Sequence, residues 1–106
     1  MSKIDSAVET FITAIMDTDE YREYDLQRNR VKKYPELKAQ IDEYRRRNFL
    51  LQTREDTAFE KIDQFEKEYE GFRENPLVSD FLAAELAFCR MIQGINMRIT
   101  EAVHFE

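Results

Sequence analysis

Turn chemistry is almost missing from this chain, which has two glycines and two prolines in 106 residues. So few breakers cannot punctuate many short strands, and they favour a small number of long helices. Cys89 is the single cysteine, which excludes an internal disulfide and fits a reducing compartment. His104 is the single histidine, and no glycine-rich loop is present to cradle a nucleotide. The opening residues carry Lys3, Asp5 and Glu9 and have no apolar run of the signal-peptide kind. No stretch approaches the roughly 18 apolar residues that a bilayer span needs. The expectation is a soluble, cytoplasmic protein that does not engage the membrane. At this length it has room for one domain, residues 1–106.

What is present is charge and apolar periodicity. Charged residues make up 36% and apolar residues 42%, with a net charge of −6. The acidic balance argues against direct DNA binding through phosphate contacts. Ile4, Val8, Phe11 and Ile15 recur at spacings of three and four, an amphipathic helix ending near Met16. Asp17 followed by Glu20 has the spacing of a capping box and predicts the start of a second helix, with Tyr21, Tyr24 and Val31 inward. Pro35 marks the next start.

From there Leu37, Ile41, Tyr44, Asn48, Leu51, Glu55, Ala58, Ile62, Phe65, Tyr69 and Phe72 alternate spacings of four and three. Nine of the eleven are apolar or aromatic, which makes a heptad seam. Asn48 and Glu55 interrupt it, either as register-setting polar positions or because the helix bends or breaks around Thr53 to Thr57. A continuous helix of about 35 residues would reach roughly 50 Å, more than so small a chain can cover, so a second copy is expected. The candidate oligomer or partner interface is therefore Leu37, Ile41, Tyr44, Asn48, Leu51, Ile62, Phe65 and Tyr69. Asn75 and Pro76 then cap a last helix carrying Val78, Phe81, Glu85, Phe88, Ile92, Ile95 and Ile99. The fold expected is all-α: an elongated bundle of about four helices with a long coiled-coil-like helix, dimeric.

No catalytic set emerges. His104 sits in the last turn, where a histidine commonly serves the helix end. Cys89 lies beside the apolar stripe of the last helix and reads as a small buried core residue. One cysteine and one distant histidine cannot build a metal site, so no cofactor is expected. Arg45, Arg46 and Arg47 form the densest basic run, a candidate contact for an acidic partner or RNA, although consecutive helical residues fan apart rather than share a face.

The order of these features resembles the YlbF/YmcA family of small helical bacterial proteins. Three stretches carry the likeness: Asp19 to Tyr24 with its acidic-Tyr-x-x-Tyr pattern, Tyr34-Pro35-Glu36-Leu37, and Asn75-Pro76-Leu77-Val78 leading into Phe81 to Glu85. The closing Ile92-Gln93-Gly94-Ile95-Asn96 also fits. Tyr34 stands where the family has an acidic or amide cap. Thr53 to Thr57 lacks the mid-segment glycine of many members, a departure that favours a more continuous helix. The resemblance implies a regulatory accessory protein that assembles with itself and with YmcA-like and YaaT-like proteins. It further implies links to RNase Y-dependent RNA maturation, competence, biofilm formation and sporulation. Iron–sulfur clusters are associated with such assemblies, and Cys89 could contribute only to a shared one. Two other readings compete with the non-catalytic adaptor. One is an all-helical enzyme of the chorismate-mutase type using Arg28, Lys38 and Gln52, and the other is direct RNA binding through Arg45 to Arg47.

Overall fold

The computed structural model describes residues 2–53 and 59–104. Among these, every regular element is a helix: α1 (Lys3–Met16), α2 (Asp19–Lys32), α3 (Pro35–Thr53), α4 (Phe59–Glu68), α5 (Glu70–Glu74) and α6 (Pro76–Ala102). The all-α class stands, with the four expected segments resolved into six helices.

The helix starts follow the polar residues that can take an extended backbone. Ser2 accepts a hydrogen bond from the Asp5 N–H at 3.1 Å and opens α1. Between α1 and α2 the cap is Thr18, one residue later than the capping box predicts. Its Oγ1 accepts from the Tyr21 N–H (3.1 Å) and donates to the Ile15 carbonyl (2.6 Å). Thr18 has the extended φ, ψ of −76° and 155° that an N-cap needs, whereas Asp17 is still helical and closes α1. Asp17 instead pairs with Arg22 at 2.9 Å. Pro35 opens α3 as its fixed φ allows. Asn75 accepts from the Leu77 N–H at 3.0 Å, with Pro76 in the first turn of α6.

With 27 residues, α6 is about 40 Å long and forms the spine. Its first half carries α2 and α5, and α3 lies across α2. The core sits where these helices meet, built from Val31 of α2, Ile41 of α3, and Val78 and Phe81 of α6. Ile41 and Val78 are closed off almost completely, at 1% and 0% exposure. The pair Tyr21 and Tyr24 lies against α6, with Tyr24 stacked on Phe88 at 5.3 Å and Tyr21 meeting the same ring edge-on at 5.7 Å. Phe81 and Phe88 are seven residues apart, two helical turns, so one face of α6 receives both tyrosines.

The long seam packs against itself. Tyr44 stacks on Phe65 with centroids 5.4 Å apart and meets Tyr69 at 5.1 Å. In one continuous helix, residues 44 and 65 would be about 30 Å apart. Arg47 reaches Glu68 at 2.7 Å, while Leu50 and Leu51 share a groove with Lys61 and Gln64. Later residues of α4 thus meet earlier residues of α3, and the two helices form an antiparallel hairpin. The single long coiled-coil-like helix is thereby corrected, and the length argument for a second chain falls with it. The seam positions Glu55 and Ala58, and most of the proposed break, lie outside the described residues.

The molecule remains open. Its radius of gyration is 17.5 Å and its extents are 50 × 37 × 21 Å, against about 13 Å for the radius of a compact chain of this length.

Candidate functional site

α1 is amphipathic yet buries none of its residues. Ile4, Val8, Phe11, Ile12 and Met16 are all exposed, Ile4 at 69%. Beside Phe11 lies the second half of α6, where Ile92 and Ile99 are also exposed, as is Val103 just past its end. Between the two runs a groove of about 680 Å³, with an apolar wall of Phe11, Ile95 and Ile99 and with Arg98 and Glu101 at its edge. The buried residues of α6, Val78, Phe81 and Ala84, all lie in its first half, and the apolar residues of its second half stay open or half-open. Monomeric proteins seldom leave apolar surface of this extent to water.

The interface positions expected from the seam divide by the side of the hairpin they occupy. Ile41 and Phe65 are buried; Leu37, Tyr44, Asn48, Leu51 and Tyr69 are half-buried; Ile62 is exposed at the open end. Tyr44, Phe65, Tyr69 and Phe72 form an aromatic cluster closing the hairpin. These side chains are engaged inside the chain.

The three consecutive arginines point in three directions, as the 100° step of a helix requires. Arg45 turns to α6, where it pairs with Glu85, and it also donates to Asp42 on its own helix at 2.7 Å. Burial works against the Arg45 charge, but these two carboxylates outweigh it and hold the guanidinium ionised. Arg46 pairs with Glu43 one turn back at 2.6 Å. Arg47 grips Glu68 with both terminal nitrogens, at 2.7 and 2.9 Å, and donates to the Tyr69 hydroxyl at 3.1 Å. All three are committed to internal carboxylates, so the run makes no continuous basic patch.

Cys89 is exposed, against the expectation of a buried core residue. Phe88 takes the inward position, and the next residue is rotated away from α2 by the helical step. Among the described residues no three His, Cys, Asp or Glu side chains converge on a metal-sized site. An iron–sulfur cluster takes about four cysteine ligands. The donor set of this chain does not fit one, and any cluster involving Cys89 needs ligands from other chains.

Of the three residues singled out for an enzymatic alternative, Arg28 and Lys38 line one small cavity between α2, α3 and α6. Gln52 lies fourteen residues beyond Lys38 on α3, roughly 20 Å along the axis, and is not part of it. The same cavity contains Lys32, one turn from Arg28 on α2, and Arg45, two turns from Lys38 on α3, so that two short basic stripes on separate helices meet there. Among the described residues no helix is long and apolar enough to cross a membrane.

Comparison with known proteins places these features in a wider set. The family described as "Control of competence regulator ComK, YlbF/YmcA" matches residues 4–104. A UPF0342 protein of Caldicellulosiruptor bescii is 20% identical over 98 residues, covering 89% of this chain and 82% of that protein. No solved structure matches the chain.

Proposed function

The chain belongs to the YlbF/YmcA family, and from that premise we propose that it is a non-catalytic regulatory adaptor that works by binding other helical proteins, including a second copy of itself. A family description that names control of a competence regulator supports a regulatory role in general. The uncovered apolar face of α1 and the second half of α6 is the observation that carries the binding reading.

A second copy suits this face for three reasons. A helix of 14 residues is marginal in isolation, so α1 gains most from an apolar partner surface. The face pairs two apolar runs, and a two-fold partner presents the same two runs in return. Arg98 and Glu101 at the groove edge supply one charge of each sign, which a two-fold arrangement can set against its opposite. By likeness to the family, the assembly extends to YmcA-like and YaaT-like proteins and acts on RNase Y-dependent RNA maturation, competence, biofilm formation and sporulation. In such an assembly Cys89, the single cysteine, supplies at most one ligand to a shared cluster.

Light scattering coupled to size exclusion tests the proposal on the full chain. The expected mass is twice the 12.8 kDa of one copy, falling to one copy in Phe11→Asp and Ile99→Asp while helix content is kept. A wild-type chain that stays at one copy into the high micromolar range sinks self-association through this face.

A further inference from the structure

The cavity between α2, α3 and α6 has a composition unlike the rest of the molecule. Its volume is about 230 Å³, the liquid share of roughly eight waters. The floor is apolar and belongs to the core: Val31, Ile41 and the Phe81 ring. The rim carries Arg28, Lys32, Lys38 and Arg45 against the single carboxylate of Asp42, in a chain whose net charge is −6. Two of the cations are fixed over rings that also line the cavity. The Arg28 guanidinium lies 5.3 Å from the Tyr24 centroid and that of Arg45 lies 5.6 Å from Phe81.

Most of this positive charge is partly answered from within. Asp25 pairs with Arg28, Glu85 with Arg45, and Asp42 is shared between Lys38, at 3.0 Å, and Arg45. Two donors are not answered. Among the described residues Lys32 enters no ion pair, and the Arg28 Nε is buried with no hydrogen-bond partner. That nitrogen is closed to solvent as the side chains stand, so an anion in the cavity meets the rest of the Arg28 guanidinium and the Lys32 ammonium, which stand one helical turn apart on α2.

We propose that this cavity binds a small organic oxyanion, its carboxylate or phosphate group held by Arg28 and Lys32 and its short apolar body laid on Val31, Ile41 and Phe81. Both halves of the ligand follow from the lining. A guanidinium edge with a nearby ammonium matches the oxygens of such a group, and the floor excludes water from the body. The cavity is walled by the helices whose junction is the core, so occupancy tightens α2 and α3 onto α6 and raises the stability of the free chain. The site is distinct from the α1 and α6 face, and its occupancy and the oligomeric state are measured separately.

Titration of the ¹⁵N-labelled full chain with phenyl phosphate and with benzoate, at constant ionic strength, tests the proposal. Inorganic phosphate and benzyl alcohol serve as probes of charge alone and body alone. The expected result is saturable shifts of the Val31, Ile41 and Phe81 amides with at least one of the organic anions. The same anion binds about tenfold more weakly to Lys32→Gln, an exposed position whose replacement leaves the core intact, and to Arg28→Lys. A preference for phenyl phosphate assigns a phosphate ligand and a preference for benzoate a carboxylate. The proposal is overturned if neither anion moves these amides by about 10 mM. Benzyl alcohol or inorganic phosphate binding as tightly as the organic anions overturns it too, as does unchanged affinity in Lys32→Gln.

Discussion

Arg45 of α3 and Glu85 of α6, forty positions apart in the chain, pair across the junction that also holds the core. Glu85 occupies a position on the inward stripe of α6 where periodicity calls for an apolar side chain, and only 21% of its side chain is exposed. Arg45 is what makes that acid tolerable there. Replacing Arg45 with Met leaves a largely covered carboxylate unpaired and is expected to cost about 1–3 kcal/mol. The double variant Arg45→Met, Glu85→Leu recovers most of that loss, because neither charge is then stranded. Urea unfolding of the two single variants and the double variant measures the coupling. Strictly additive effects contradict a direct pair.

The core makes a sharper prediction. Ile41 of α3 is 1% exposed and sits in one cluster with Val31 of α2 and Val78 and Phe81 of α6. Ile41→Ala is expected to lose about 2–5 kcal/mol. Phe49, on the same helix and 64% exposed, is the contrast: Phe49→Ala stays within about 0.5 kcal/mol. Equal losses at the two positions place the core elsewhere.

Acid weakens the fold through specific carboxylates. Hydrogen bonds from Arg45 first and Lys38 second hold the Asp42 carboxyl below the usual carboxylate range. Its folded value is therefore lower than its unfolded one, and the native state binds fewer protons. The contribution to stability is complete above about pH 4, the unfolded value, and is lost as pH falls through the depressed value. Glu43, held down by Arg46, and Glu68, held down by Arg47, act in the same direction. Urea midpoints measured from pH 6 to 3 should fall less steeply for Asp42→Asn than for the parent chain. Parallel curves leave Asp42 without that role.

The Cys89 thiol lies on an open flank of α6. It is expected to react with a water-soluble thiol reagent in the native protein nearly as fast as in urea. Protection lifted only by denaturant contradicts that placement.

The local signals in the sequence translated directly into structure wherever one residue decides the outcome. Asn75 with Pro76, Pro35, and the Tyr21 and Tyr24 pair each fix a backbone start or a face, and each stands where expected. The capping residue of α2 slipped by one position because both Asp17 and Thr18 can cap, and only the tight connection to α1 selects Thr18. The seam was visible, but its partner was not. A three-four repeat reads the same whether the covering helix belongs to a second chain or to a later segment of the same chain, so the hairpin of α3 and α4 could not be told from a coiled coil. Cys89 departs from the expected burial because a broad apolar stripe on α6 implies cover on every side, and α2 and α5 leave the Cys89 side open. The basic cavity was legible only as two separate pairs, Arg28 with Lys32 and Lys38 with Arg45 at helical spacing, because the pairs meet only when α2 and α3 close on α6.

On the proposed function, α1 and the second half of α6 form a surface completed by another helical chain, in the first instance a second copy. Mixing isotope-labelled and unlabelled protein and recording contacts between copies by filtered NMR tests this most directly. The expected result is intermolecular contacts joining Val8, Phe11 and Ile12 to Ile95 and Ile99. Copies that meet only through the α3 and α4 hairpin, or show no contact at millimolar concentration, contradict it.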